Sequence, residues 1–370
     1  MSDVRFVPGE PAPWFHAKAL DGNPRFAFHT VAGRPVMMLF HASGAHPAGA
    51  AALATVAAHR DLFDDVQASL FGVSVDPSDI SDRRIAQQLP GIRWFIDDDH
   101  AISKAYHATV AKDGKTGYRP HWLVLDRMLR VIGSYPIDNG EAAMAALRDL
   151  IASPDEPANA PVLIAPRVFE PVFCRTLIEA YDRDGGQESG FMRDVDGVTV
   201  EQFDHDHKRR SDYLVTDPEL QRAIHARLKR LLAPAIQRAF QFEVTRVERL
   251  LVACYDSEAG GGHFRAHRDN TTNGTAHRRF ACTINLNADD YEGGDLCFPE
   301  FGPRTYRAPT GGAVIFSCSL LHEARPVTKG KRYAFLPFFY DEAAAQLRER
   351  NLSMVAPELQ HYRAGAATGD

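Results

Sequence analysis

The sequence predicts two domains, an α/β half over residues 1–156 and an α+β half over residues 157–370, the second with helices packed on a double-sheet β-sandwich or jelly roll. Three observations predict this. Strand and helix patterns alternate before residue 153, the mark of an α/β sandwich. After residue 161 helical patterns come first, and short strands set off by paired glycines follow. Between the two, Ser153–Pro161 holds three prolines and no large apolar residue, which reads as a linker with its boundary near residue 157.

In the first half, Pro35–Phe40 is a continuous apolar run and reads as a buried strand. Ala48–Phe63 is rich in alanine and reads as a helix. Leu70–Val75 is a second buried strand, and Ser78–Leu89 reads as a helix. His121–Leu125 and Leu129–Ile132 form a strand pair around Asp126-Arg127, and Glu141–Ile151 closes the half as a helix. In the second half, Glu170–Tyr181 is a helix. Asp217-Pro218 supplies an N-cap and a first-turn proline for a helix running towards Phe240, which Pro234 should bend or split. Strands are expected at Val244–Tyr255, Arg279–Leu286, Asp295–Phe298, Ala313–Ser317 and Tyr333–Tyr340, with Gly260-Gly261-Gly262, Gly293-Gly294 and Gly311-Gly312 as punctuation.

Composition narrows the functional classes. The 370 residues are 45% hydrophobic and 24% charged, as in ordinary globular proteins, with a net charge of -6. No single-sign field favours nucleic acid or a membrane surface. Apolar runs are of strand length, and Met1–Glu10 lacks an apolar signal core, so a cytoplasmic location is expected. Five cysteines, Cys174, Cys254, Cys282, Cys297 and Cys318, all follow residue 173 and show no CxxC spacing, which argues against a disulfide framework or a zinc knuckle.

The chemistry centres on His267-Arg268-Asp269. On extended backbone residues i and i+2 point to one side, so an imidazole and a carboxylate face one point. His322, after the apolar run Ala313–Cys318, is the candidate third ligand. Two histidines and one carboxylate leave open positions on an iron(II) ion, as in non-haem oxygenases. Arg332 lies ten residues beyond His322 and opens the next strand. Its guanidinium can hold the distal carboxylate of a 2-oxoglutarate that chelates iron at its other end, leaving room for O2. Lys331 is the alternative for that part. Asp204-His205-Asp206-His207 competes as a metal site, but no strand pattern supports it. It reads as a polar loop, and through Arg210 it is a candidate cover for the site.

Residues 251–270 (LVACYDSEAGGGHFRAHRDN), 283–287 (TINLN), 292–300 (EGGDLCFPE) and 322–335 (HEARPVTKGKRYAF) resemble the prolyl 4-hydroxylase-like branch of the 2-oxoglutarate/iron(II) dioxygenases. The resemblance implies a double-stranded β-helix (jelly roll) with supporting helices. It implies iron ligands at His267, Asp269 and His322, and a co-substrate anchor at Arg332. Tyr255 matches a tyrosine that lines the co-substrate pocket. Asn285 falls where the family often has a hydroxyl residue, and Phe264 replaces a common tyrosine. The implied cofactors are Fe(II), 2-oxoglutarate and O2, with ascorbate as a reductant. The implied substrate is peptidyl or amino-acid-like, although a small metabolite fits the same chemistry. An oxygen- or 2-oxoglutarate-sensing binding protein is the alternative class. Asp269 argues against halogenation, since the related halogenases lack that carboxylate.

Residues 9–15, 35–47, 71–76 and 119–133 resemble the thioredoxin-like fold of the peroxiredoxin (AhpC/TSA) family, with Pro120 at the position of its cis-proline loop. That chemistry needs a thiolate after the first buried strand. Here the loop reads His41-Ala42-Ser43-Gly44-Ala45-His46-Pro47, and the half contains no cysteine. Thiol peroxidase and CxxC reactions are therefore excluded. His41 and His46 are expected to cap a helix or face solvent. Dimerisation, substrate docking or stability remain as roles for this half, and a homodimer through it is the expected assembly.

Overall fold

The computed structural model describes residues 6–20, 24–112, 115–153 and 158–360. The chain divides into two compact units, Met1–Ala158 with Pro299–Gly302, and Asn159–Phe298 with Pro303–Asp370. Residues 154–157, where the sequence places the linker and its boundary, lie outside the described residues, as do Met1–Arg5.

The first unit is built on a five-stranded mixed sheet in the order Ile92–Ile96, Ser69–Ser74, Val36–Ala42, His121–Leu125, Val131–Pro136. Val36–Ala42 is central, parallel to Ser69–Ser74 and antiparallel to His121–Leu125. Its Val36–Phe40 stretch is wholly buried, which explains an apolar run without alternation. Met37, Leu39, Trp94, Trp122 and Val124 form one core with Val56, Met144 and Leu147 from the helices. Gly72 is required here: a Cβ would come within 2.0 Å of the Trp94 ring. At the hairpin, the Asp126 carboxylate accepts from the backbone of Met128 and Arg130, while Leu129 takes a left-handed conformation.

Three expectations for this unit need correction. The alanine-rich helix is Pro47–Ala58, followed by a separate 3-10 turn at Arg60–Leu62. The helix expected over Ser78–Leu89 covers only Ser78–Ser81. Arg83 has φ 55°, and Asp79 is pulled into the interior, where its carboxylate accepts from His41, Ser74, Gly44 and Arg84. That tertiary capture outweighs helical propensity. Arg119–Pro120 is not cis; the cis peptide among the described residues is Leu89–Pro90.

The second unit is a jelly roll of antiparallel strands with helices on one side. Its larger sheet runs Leu163–Ala165, Ala313–Ser317, Phe280–Asn285, Lys331–Phe335, Leu251–Asp256, Ser211–Leu214, Gln187–Glu188, joined at its side by Arg246–Glu248 and Phe338–Tyr340. The smaller sheet runs Lys208–Arg209, His263–His267, His322–Ala324, Leu296–Cys297, Thr305–Tyr306. Alternation along the larger sheet decides the faces. Val252, Cys254, Cys282, Ile284, Tyr333 and Phe335 pack on the helices. Leu251, Ala253 and Tyr255 face the other way and pack with Phe264, Ala324 and Val327 inside the roll.

The first helix is Pro171–Asp184. Asp217 caps the second by accepting from Leu220 N at 2.7 Å. That helix runs Pro218–Arg227, passes through a π-turn at Leu228–Leu232 and resumes as Ala233–Phe240. Pro234 has no N–H to give to the preceding turn, and the widened turn accommodates it. Two expected strands are each divided: Val244–Tyr255 at Arg249 (φ 66°), and Tyr333–Tyr340 before Pro337. No helix among the described residues is long and apolar enough to cross a membrane.

Candidate metal centre

His267 ends its strand, and its cross-strand partner is His322. Asp269 follows two residues later, held by its backbone N–H on Cys318 O at 3.0 Å. The pairing brings both imidazoles onto one carboxylate: His267 Nε2 is 3.5 Å from Asp269 Oδ1, and His322 Nε2 is 3.3 Å from Asp269 Oδ2. The three ligand-type atoms lie within 4.8 Å of one another, and no other such group occurs among the described residues. Asp204–His207 forms no such group. It is a polar turn whose His207 and Asp206 carbonyls accept from Arg265.

Each histidine is fixed from behind. Nδ1 of His267 meets Arg265 O at 2.7 Å, and Nδ1 of His322 meets Leu320 O at 3.0 Å. A carbonyl only accepts, so both Nδ1 atoms carry the proton, and both Nε2 atoms present a lone pair. Burial, with His322 beside it, lowers the His267 pKa to about 4. Burial alone would raise the Asp269 carboxyl, but the His322 and His267 rings hold it well below the usual carboxylate range. The set is thus two imidazole Nε2 atoms and one carboxylate turned on one point, the donors a divalent cation takes. Phe264 stacks on the His267 ring at 3.5 Å, filling with an apolar contact the place of a tyrosine. Asn270 donates to Ser319 Oγ at 2.8 Å and ties down the loop after the pair.

Arg332 is 3% exposed, whereas Lys331 points outward to Asp256 at 3.0 Å, as alternation requires. Arg332 Nη2 donates to Thr283 Oγ1 at 3.0 Å, its guanidinium lies 4.9 Å from the centre of the Tyr255 ring, and its Nε has no partner. No carboxylate forms an ion pair with it among the described residues. A buried guanidinium left in this state fits an anion brought in from outside. Two further buried atoms on this inner side are unpartnered, Tyr291 Oη and Asn285 Oδ1. Gly294 permits the close packing here, since a Cβ would stand 3.2 Å from Arg332 Cδ and 3.4 Å from Tyr291 Cε2.

Asn285 lies on the same strand as Thr283, but its amide donates to Ala308 O. Thr283, two residues earlier, supplies the hydroxyl that touches Arg332. Sequence reasoning also missed Tyr291 and the role of Arg210. Arg210 is buried with its guanidinium 5.8 Å from the Tyr255 ring centre, donating to Tyr255 Oη at 3.4 Å and to Asp212 at 2.6 Å. Tyr255 thus makes cation–π contacts with two arginines. The pairing of Ser211–Leu214 with Leu251–Asp256 buries this part of the polar loop, a non-local event that spacing does not signal.

Residues 250–340 match the family described as the 2OG-Fe(II) oxygenase superfamily, and residues 8–132 match the AhpC/TSA family. Residues 250–340 are a 2OG-Fe(II) oxygenase domain. The family implies Fe(II), 2-oxoglutarate and O2, and the donor set and the unpaired Arg332 suit them. A PKHD-type hydroxylase of Verminephrobacter eiseniae is 30% identical over 134 residues, which is 34% of this chain and 58% of that protein. One of Stenotrophomonas maltophilia is 37% identical over 87 residues, 22% of this chain and 39% of that protein. The chain therefore spans about half the length of the curated relatives it matches. A solved prolyl hydroxylase from Trichoplax adhaerens, in complex with a hypoxia inducible factor peptide, is similar to the oxygenase half. The match has 16% identity and a TM-score of 0.40, and covers 52% of this chain and 87% of that one. Peroxidoxin BcpB from Mycobacterium tuberculosis matches at 19% identity and a TM-score of 0.32, over 40% of this chain and 99% of that one.

Proposed function

We propose that this protein is a 2-oxoglutarate- and Fe(II)-dependent dioxygenase that hydroxylates a C–H bond of a peptidyl or amino-acid-like substrate in the manner of prolyl 4-hydroxylases. One observation carries the reading: two imidazoles with free Nε2 lone pairs and one carboxylate meet in a roll whose inner side also holds a buried arginine that pairs with no acid among the described residues. Iron(II) bound by His267, Asp269 and His322 would couple oxidative decarboxylation of 2-oxoglutarate by O2, giving succinate and CO2, to insertion of the second oxygen atom into the substrate C–H bond.

The chain's own residues bind and orient. Arg332, fixed by Thr283 and the Tyr255 ring, would take the distal carboxylate of 2-oxoglutarate through two parallel hydrogen bonds. Tyr255, bonded by Arg210, would line that pocket. Phe264, Phe316 and Ala324 keep water from the ligand side chains. The amino-acid-like substrate class draws its support from the motif likeness and from the hydroxylase names of the relatives.

The test is succinate formation from 2-oxoglutarate by protein purified without oxygen, supplied with iron(II) and then aerated. Wild type should turn over slowly without substrate, and Asp269→Ala should not. Equal, background-level succinate from both would overturn the reading.

A further inference from the structure

We propose that the cavity between the Phe191–Gln202 hairpin and the loop after Asp269 receives a positively charged side chain, which makes the substrate a basic peptide. The inference rests on the oxygenase reading, which makes this cavity a substrate subsite. Its volume of about 440 Å³ suits a long side chain and some flanking backbone.

Position links the cavity to the metal centre. Asp212 forms part of its wall and accepts from Arg210, which in turn donates to Tyr255. Gly274 lines it and follows Asp269 by five residues, at most about 18 Å of extended chain. Thr199 holds this loop by accepting from Gly274 N at 2.8 Å, so the hairpin and the loop form one wall.

The charges lining the cavity are uneven. Its three arginines are already committed, Arg249 to Asp212 at 3.3 Å, and Arg278 and Arg348 to Glu248 at 2.6 and 3.3 Å. Three further carboxylates line it, those of Asp184, Glu188 and Glu201. Among the described residues no lysine or arginine pairs with them. Glu188 meets His205 at 3.5 Å, and the other two accept from backbone N–H groups of Gly186 and Gly190. Five carboxylates line the cavity against three arginines, so an anionic group would meet an excess of negative side chains on its walls. A lysine or arginine would lay its methylene stem on Leu251, Val355 and Leu359 and set its head among the carboxylates. Rim charges of this kind select partners chiefly by complementarity.

The experiment uses the full chain loaded with iron(II) and 2-oxoglutarate under anaerobic conditions, so that binding is read without turnover. The probes are three fluorescein-labelled pools of randomised nonapeptides, identical except for two fixed positions that carry lysine, glutamine or glutamate. The lysine pool should bind about tenfold more tightly than the glutamine pool, the scale of two or three rim charges. The glutamate pool should bind most weakly. Glu188→Gln with Glu201→Gln keeps the hydrogen-bond acceptors and should reduce the lysine preference below about twofold. Equal binding of the three pools, no measurable binding of the lysine pool, or a preference that survives in the variant would overturn the proposal. Peptide-free succinate formation is measured on the same proteins and should be the same in both. Its absence in wild type would sink the oxygenase reading, while the binding comparison judges the subsite.

Discussion

Each half of the molecule buries a histidine against an aspartate near the end of a strand, and the two pairs are built for opposite ends. In the first half, His41 Nε2 meets Asp79 at 3.0 Å, with both side chains fully buried. Asp79 also accepts from Ser74 Oγ at 2.6 Å, Arg84 Nε at 2.6 Å and Gly44 N at 2.9 Å, so its oxygens are saturated. In the second half Asp269 meets two imidazoles at the loose distances of 3.5 and 3.3 Å, and no arginine among the described residues pairs with it. The first constellation is closed by protein donors and leaves nothing to offer. The second turns three donor atoms on one point and leaves the positive charge to come from elsewhere. Saturation of the carboxylate, more than the presence of His and Asp, separates a structural network from a ligand set.

The sharpest way to break this comparison is to remove each carboxylate in turn. Asp269→Ala should lower iron(II) affinity by at least about a hundredfold, the upper range for losing even a ligand's supporting partner, while the urea midpoint of the metal-free protein stays within error or rises. Asp79→Ala should do the reverse. It leaves the buried His41 imidazole without its acid and strips Arg84 of one of its three carboxylates, and should cost about 3–5 kcal/mol in stability, with iron(II) affinity per folded molecule unchanged. Titration with iron(II) and urea unfolding on both variants decide it. A stability loss in Asp269→Ala as large as that in Asp79→Ala would mean that the two sites do not differ in kind.

Arg332 sharpens the contrast between paired and unpaired charge. Arg84 is spent on Asp79, whereas Arg332 has a hydroxyl, a ring and a free Nε. Arg332→Met should therefore raise the 2-oxoglutarate KM by about a hundredfold, the cost of one charge-assisted pair, and leave stability nearly unchanged. A KM within threefold of wild type would remove Arg332 from the co-substrate site.

The two halves also differ in how much the sequence disclosed. The His267–Asp269 juxtaposition follows from strand periodicity alone, and the apolar run before His322 located the third residue. That His267 and His322 are cross-strand partners depends on a register between segments some fifty residues apart, which no local pattern carries. The same holds for Thr283 and Asn285. They share a strand and a face, and only the packing around Arg332 decides that the threonine hydroxyl reaches it. Arg210 reads in the sequence as the end of a polar loop covering the site, because nothing nearby in the chain announces its burial. In the first half the absence of cysteine excluded thiol chemistry at once, yet His41 was expected at a cap or in solvent and is buried on Asp79. His46 does cap its helix, accepting from Ala48 N at 3.3 Å. The helix expected over Ser78–Leu89 stops at Ser81 for the reason that made His41 surprising: the Asp79 side chain is held in the interior by His41, Ser74, Gly44 and Arg84, and the chain turns away at Arg83, where φ is 55°.

The smallest effect concerns a carboxylate in each half that sits at about the same pKa for different reasons. Burial would raise Asp65, but hydrogen bonds from Arg93 and Ser69 and the charges of Arg93 and Arg34 hold it at about 2. Burial would raise Asp212 as well, but the charges of Arg210, Lys208 and Arg249 hold it at about 2. In both, the folded pKa lies below the unfolded value near 3.9, so the stabilisation is fully present above about pH 4 and is lost as pH falls through about 2. Each contributes on the order of 2 kcal/mol before screening. The Asp65 side chain is 22% exposed and that of Asp212 12%, so salt should weaken the first more than the second. Urea midpoints between pH 5 and 2, at low and at about 0.5 M salt, should show Asp65→Asn flattening a salt-sensitive slope and Asp212→Asn flattening a salt-resistant one. Identical salt responses would show that the oxygenase half is no better shielded at Asp212 than the redoxin-like half is at Asp65.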